Sequence, residues 1–329
     1  MSDVAIRWLG MITLFTLCLH VTTSQSQDVP KPHGFPSQPL QIIVPRGPGG
    51  GSDQVSTQMA AALQHVLGVQ VKVTHRPQHD GIEAIEHYMS LPPTGDTILQ
   101  HVDDIASLYA RHDIQVDPTQ DLTPLAIAQI TFSQLYVRNL ESRFSDWPSF
   151  VSYVKAHPHE IRVALVGHEG SMERFILDVL AHTLNLDVIQ VSFNRPAARY
   201  TSLFREEADA LIEQPGDVRP FLKWKLIKPI LTLLPEGHAE WPEAAALNDI
   251  ATDFEALYRF RAFFVHTATA PERRRYLESA FKRAFLSDTF QAFNREKYMH
   301  LVESYRNTDD ARSLIKNLIK TYQMHDSAP

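Results

Sequence analysis

The sequence predicts an α/β protein, on three observations. Short apolar strands alternate with amphipathic helical segments, a glycine-rich loop joins the first strand to the first helix, and a second block repeats that order of strand, loop and helix. Strands that alternate with helices of this length imply parallel pairing. The chain has 329 residues, 44% of them hydrophobic and 21% charged, which excludes disorder and fits one large or two ordinary domains. Its formal net charge of −7 is the wrong sign for a protein that binds by neutralising phosphates, so no nucleic-acid partner is expected.

The chain opens with Arg7, an apolar run from Trp8 to Val21 and the small polar series Thr22 to Gln27. That is the pattern of a cleavable secretory signal peptide over residues 1–27, and the run is too short for a spanning helix, which needs about 20 residues. A retained amino-terminal anchor is the alternative. Cleavage near residues 24–28 removes Cys18, the one cysteine, so the exported, periplasmic chain is expected to carry no disulfide, thiol nucleophile or cysteine-based metal site.

Residues 28–39 hold four prolines and Gly34, a stiff segment outside the regular elements. Leu40, Ile42, Ile43 and Val44 form a strand ended by Pro45. A loop from Gly47 to Ser52 follows, and Asp53 opens a helix in which Val55, Met59, Ala62, Leu63 and Val66 recur up to Gly68. Val69, Val71 and Val73 alternate as a strand, Ile82, Ile85, Tyr88 and Met89 fit a helix, and Thr97 to Leu99 make a third strand. The second block places strands at 135–137, 162–166, 187–191, 208–212 and 226–233. Its helices are one beginning at Asp146-Trp147-Pro148, one over 171–184 and one near 196–205. Tyr258, Phe260, Phe263 and Phe264 lie in a strand-like segment, read as core packing with one ring available to cover a ligand. The last eighty residues are mainly helical, with Pro271 in a first turn and an amphipathic helix near 309–322.

The loop Pro45-Arg46-Gly47-Pro48-Gly49-Gly50-Gly51-Ser52-Asp53 lets backbone N–H groups converge at the positive end of a helix, an arrangement suited to a carboxylate or phosphate. It is neither a Walker A loop nor a dinucleotide fingerprint. A tight strand-to-helix turn with Asp53 as N-cap explains it as well. Val166-Gly167-His168-Glu169-Gly170-Ser171 repeats the arrangement, and two such loops facing each other would grip the two ends of a small anion.

These residues resemble a known family. Phe35 to Pro45 followed by Gly-Pro-Gly-Gly-Gly-Ser-Asp53 resembles the opening signature of the tripartite tricarboxylate transporter substrate-binding proteins, the Bug receptors. Val73-Thr-His-Arg-Pro77, Pro93-Thr-Gly-Asp-Thr97, Asp121-Leu-Thr-Pro-Leu125 and Gly167-His-Glu-Gly-Ser171 resemble later elements of that family, in order, over residues 35–325. The resemblance implies a type II periplasmic binding-protein fold, two α/β domains with a ligand cleft between them. One domain is expected to comprise residues 28–128 plus 250–329 and the other residues 129–249. It further implies an extracytoplasmic receptor that closes on a small organic anion (a carboxylate, dicarboxylate or acidic amino acid) and delivers it to membrane transporter subunits. The receptor is expected to be a monomer without cofactor or metal, and not an enzyme. Carried over by position, the ligand residues are Gly49, Gly50, Gly51, Ser52 and Asp53 in the first loop, Gly167, Gly170 and Ser171 in the second, Thr201 in the third, and Glu213 at a strand end.

The sequence departs from the family pattern at Arg46, at Gln78-His79-Asp80, at Arg174 and across Asn194 to Ala198. Guanidiniums at Arg46, Arg174, Arg195 or Arg199 can pair directly with a carboxylate or phosphate, or each can be a solvated surface charge. The altered third loop keeps a second reading open, a binding fold that has lost its ligand and serves as a sensory or structural partner. A third reading, a metal-dependent enzyme, rests on His75, His79 and Asp80 or on His101, Asp103 and Asp104. Pro77 breaks the helical spacing of the first set, and no recognised ligand spacing is present. Gly170-Ser171 lacks the nucleophile-elbow pattern of a hydrolase.

Overall fold

The computed structural model describes residues 29–166, 170–250 and 256–326. The expected signal peptide and Gly167 lie outside the described residues. Among those residues no helix is long and apolar enough to cross a membrane.

In chain order the first block runs β1 (Leu40–Val44), α1 (Gly51–Leu67), β2 (Val71–His75), α2 (Ile82–Met89), β3 (Thr97–Val102), α3 (Asp104–Ala110) and β4 (Leu122–Thr131). The second runs β5 (Gln134–Arg138), α4 (Trp147–Ala156), β6 (Arg162–Leu165), α5 (Met172–Leu184), β7 (Ile189–Ser192), α6 (Pro196–Thr201), β8 (Ala210–Glu213), α7 (Arg219–Lys223) and β9 (Ile227–Thr232). The chain closes with β10 (Arg259–His266), α8 (Pro271–Phe285), α9 (Asp288–Glu296) and α10 (Thr308–Asp326).

Local chemistry sets the helix ends. Gly68 takes the left-handed conformation (φ 70°) that terminates α1, and its N–H donates to the Gln64 carbonyl at 3.0 Å. Asp146 and Ser149 form a reciprocal capping box at the start of α4, with Pro148 in the first turn. The opening of α1 differs from expectation. Gly50, in extended conformation, is the N-cap, so Gly51 and Ser52 belong to the first turn. Asp53 sits inside the helix, accepting from the Gly49 N–H at 2.8 Å and pairing with His75 at 2.7 Å.

Two five-stranded sheets form, in the orders β2-β1-β3-β10-β4 and β7-β6-β8-β5-β9. The expectation of uniformly parallel sheets is corrected. β1 is parallel to β2 and β3, and β6 to β7 and β8, but β10 runs antiparallel to β3 and β4, and β5 antiparallel to β8 and β9. The chain passes from the first sheet to the second through Phe132 and Ser133 and returns into β10. Strands fed by those crossings take their direction from the return path, which helix spacing does not encode.

One core packs Val55, Met59 and Leu63 of α1 and Phe281 of α8 on the first sheet. A second is continuous between the sheets: Ile315 and Ile319 of α10 share it with Ile176 and Leu180 of α5, and the Phe175 and Tyr322 rings meet edge to face at 5.2 Å. The two halves are therefore in apolar contact on one flank, and a cleft opens on the other. Phe260, Phe263 and Phe264 are fully buried core residues and do not reach that cleft.

Candidate functional site

A cavity of about 60 Å³ lies between the halves, walled by Arg46, Gly47, Gly50, Gly51, Ser52 and Val102 from one side and by Val166, Asn194, Pro196, Arg199, Gln214 and Asp217 from the other, with Arg259 and Arg261 beneath. Most of these residues follow the carboxyl ends of parallel strands: Arg46 after β1, Val102 at the end of β3, Val166 after β6, Asn194 after β7 and Gln214 after β8. The crevice outside those ends is where open α/β sheets hold ligands. Arg259 and Arg261 reach the same place because β10 runs the other way, so its start lies where its neighbours finish.

The start of α1 enters the cavity through Gly50, Gly51 and Ser52. Its first-turn N–H groups have no acceptor within the helix, and the helix places partial positive charge there. A Cβ at Gly51 would collide with the Arg261 guanidinium and sit 2.7 Å from an Asp217 carboxylate oxygen, so a side chain there has to displace that ion pair. The Gly50 position faces Pro196, whose Cγ would lie 3.1 Å from an added Cβ. The first loop thus closes directly on the altered third loop.

Four guanidiniums line this cavity, and each has a carboxylate of the chain's own. Arg46 pairs with Asp104. Arg199 Nε donates to Glu213 at 2.7 Å. Arg261 Nη2 donates to Asp217 at 2.9 Å and its Nη1 to Gln129 at 3.0 Å. Arg259 donates through Nη2 and Nε to the two oxygens of Glu173, at 2.6 and 3.0 Å, and lies 3.5 Å from Asp104 and 3.6 Å from Asp103. Gln214 also donates to Glu173, at 2.8 Å. Glu173 belongs to α5 and Arg259 to β10, so the fork joins the two halves through groups that are almost fully buried. Asp217 and Arg261 make a second such link, and Lys297 adds a third through its ammonium donating to the Gly216 carbonyl at 3.2 Å.

Burial moves the acids that these pairs only partly compensate. The Asp103 carboxyl is pushed well above the usual carboxylate range by desolvation, and by the charges of Asp104 and Glu173, against the opposing pull of Arg259. Burial likewise raises Glu213 despite Arg199. The guanidiniums of Arg46, Arg199, Arg259 and Arg261 thus face the carboxyl groups of Asp104, Glu213, Glu173 and Asp217 one for one.

The residues expected from sequence divide into two groups. Arg46, Gly50, Gly51 and Ser52 line the cavity, as does Arg199. Gly49 and Asp53 support the loop from outside through their mutual hydrogen bond. Glu213 stands behind Arg199 and reaches the cavity only through it. Gly170 and Ser171 are not among the residues that line the cavity: Arg111 fills the space over Gly170, and the Ser171 hydroxyl is buried with no hydrogen-bond partner among the described residues. Arg174 donates to the Ser192 hydroxyl at 3.0 Å, and Thr201 donates to the Ala197 carbonyl at 2.8 Å, both away from the cavity. Sequence reading passed over Glu173, Gln214, Asp217, Arg259 and Arg261. The signal present was the pair Arg259 and Arg261, two residues apart on an apolar strand, which alternation places on one face.

Neither histidine set forms a metal centre. His75 is engaged by Asp53, and Asp103 and Asp104 are turned to Arg259. No group of three or more His, Cys, Asp or Glu among the described residues is placed to hold a metal ion. The described lining offers one hydroxyl, Ser52, and no His, Cys or Lys to act as its base. What the arrangement can do is hold a small anion, with backbone donors at a helix start and fixed dipoles in a site shielded from water.

Comparison with known proteins bears on the same region. The model of the tripartite tricarboxylate transporter family receptor matches residues 55–323. A UPF0065 protein of Bordetella pertussis is 21% identical over 263 residues, covering 79% of this chain and 80% of its own. MatC (Rpa3494) from Rhodopseudomonas palustris, solved with bound malate, superposes with a TM-score of 0.77 at 18% identity, covering 88% of this chain and 99% of its own. The periplasmic binding protein BugD superposes with a TM-score of 0.78 at 14% identity, over 88% of this chain and 97% of its own. These likenesses establish the fold as that of periplasmic binding proteins, two α/β domains flanking a cleft.

Proposed function

The chain belongs to the tripartite tricarboxylate transporter receptor family, and from that premise we propose that it is an exported solute-binding receptor that captures a small organic carboxylate between its two domains and presents it to a membrane transporter. The observation that carries the reading is the cavity at the start of α1, walled from both sides and placed outside the carboxyl ends of the parallel strands. Malate in MatC supports carboxylate as the ligand chemistry. The apolar run at 8–21 supports export to the periplasm, and the family supports transporter subunits as partners.

The geometry supports capture by closure. Each half supplies part of the wall, so the ligand is enclosed only when the halves meet, and enclosure strengthens every hydrogen bond to it by excluding water.

Thermal denaturation of the mature chain, alone and with millimolar di- and tricarboxylates, acidic amino acids or divalent metals, tests the proposal. A carboxylate at a hundred times its Kd stabilises by about 2.7 kcal/mol, a shift of several degrees. Stabilisation by carboxylates supports the receptor reading. No response to any compound supports the reading of a binding fold without a transport ligand, and a response to metals alone overturns the proposal.

A further inference from the structure

The inner cavity opens outward into a wider vestibule of about 460 Å³, and the two share Arg46, Gly47, Asn194 and Pro196. The vestibule adds Pro48, Pro77 and Asp80 on one lip and Arg195 and Ala197 on the other. We infer that this chain selects an elongated organic dianion, with one carboxylate in the inner cavity at the start of α1 and the second anionic group paired with Arg195 at the mouth. The inference rests on the carboxylate-receptor reading and assigns its specificity to one residue.

Three observations lead there. The first is size. A volume of about 60 Å³ has room for roughly four to six water-sized groups at 10–15 Å³ each, enough for a carboxylate and one or two carbons. Anything longer must extend into the vestibule. The second is the state of the cations. The inner guanidiniums are matched one for one by Asp104, Glu213, Glu173 and Asp217, so they offer a ligand no uncompensated charge. The Arg195 side chain is exposed at the lip and makes no hydrogen bond or ion pair among the described residues. The third is the surface between the two ends. Pro48, Pro77, Pro196 and Ala197 give the vestibule apolar lining that suits methylenes or a ring.

Asp80 supplies an independent check on sign. It lies on the lip facing the third loop and is held, with its neighbour His79, in the left-handed backbone region at φ 57° and 48°. A carboxylate there repels a distal anion and attracts a distal cation. Neutralising Asp80 must strengthen the binding of a dianion and weaken that of a ligand with a distal amino group.

Calorimetric titration of the mature chain with unbranched dicarboxylates from malonate to pimelate, and with monocarboxylates of equal length, reads the inference directly. The expected result is affinity that rises with length until the distal carboxylate reaches the mouth, at least tenfold above the matched monocarboxylate. Arg195→Ala is expected to remove that tenfold preference without changing monocarboxylate binding, and Arg195→Lys to restore part of it, because an ammonium keeps the charge but loses the planar fork. Asp80→Asn is expected to raise dicarboxylate affinity about twofold to threefold. The inference is overturned if Arg195→Ala weakens mono- and dicarboxylates alike, if affinity peaks at malonate, or if Asp80→Asn weakens the dicarboxylates. If neither series binds to the wild-type chain, the carboxylate-receptor reading fails and takes this inference with it, which is distinct from binding that ignores length and Arg195.

Discussion

Replacing Glu173 by Gln keeps the side-chain shape but removes one charge from the buried cluster that joins the two domains and turns one of two acceptor oxygens into an NH2 donor facing other donors. Glu173 accepts both arms of Arg259 at 2.6 and 3.0 Å and a third hydrogen bond from Gln214 at 2.8 Å. Stripping a buried ion of its partner costs about 3–5 kcal/mol when nothing replaces it. Here Arg259 retains Asp104 at 3.5 Å, so the loss is held to about 2 kcal/mol. That corresponds to a Tm lowered by about 3 °C for a chain of this size. The deficit also depends on pH. Desolvation chiefly, with the charges of Asp104 and Glu173, keeps Asp103 protonated in the folded state well above the unfolded value near 3.9. Between those two values the unfolded chain is ionised and the folded chain is not, so Asp103 makes stability fall as pH rises through the window. Glu173→Gln removes one of the charges that raise Asp103 and narrows the window, so the variant's deficit is larger at pH 5 than at pH 8. Urea denaturation of wild type and variant at both pH values measures it. A variant as stable as wild type at pH 5, or a deficit that grows toward pH 8, refutes the reasoning.

Other perturbations follow from the same contacts. Gly216→Ala places a Cβ 3.1 Å from the Lys297 Cα and 3.0 Å from its carbonyl carbon; it is expected to cost about 1–3 kcal/mol and to enlarge the radius of gyration measured by X-ray scattering in solution, because backbone on the opposite domain must move. Glu141 is held down to about 2 by its hydrogen bonds from the Arg143 side chain, with backbone N–H groups adding to them. Its stabilising contribution is complete above the unfolded value near 4.3 and is lost as pH falls toward 2, so Glu141→Gln should cost about 1–2 kcal/mol at pH 7 and nothing near pH 2, read by urea denaturation. Asp146→Ala removes the capping box of α4 and should lower stability by about 1 kcal/mol at pH 7, measured in the same way.

The sequence shows a helix or strand where local chemistry alone decides it. The Asp-Trp-Pro helix start at Asp146, the glycine stop after Leu67 and the apolar run of β1 are all of that kind, and the elements appear at those places. Direction in the sheets was not legible, because β5 and β10 take theirs from long-range crossings. The site was half legible. Gly50 to Ser52 announce a loop beside a helix start, whereas the opposite wall is assembled from Gln214 and Asp217 after β8 and from two arginines of β10, each ordinary in its own segment. Arg174 drew notice as a departure from the family, yet its neighbour Glu173 is the buried group that meets Arg259, because helical geometry turns adjacent residues about 100° apart. Pairing of buried charge between distant segments leaves no mark in either segment alone.

The central claim is that an organic carboxylate is enclosed where the start of α1 meets the third loop. Gly50 faces Pro196 across the cleft. Calorimetric titration of wild type and Gly50→Trp with the carboxylate that best stabilises the wild-type chain tests the claim most directly. The account predicts one ligand per chain for wild type and no measurable heat of binding for Gly50→Trp, with the variant's circular dichroism spectrum unchanged. Equal affinity in the two proteins would contradict it.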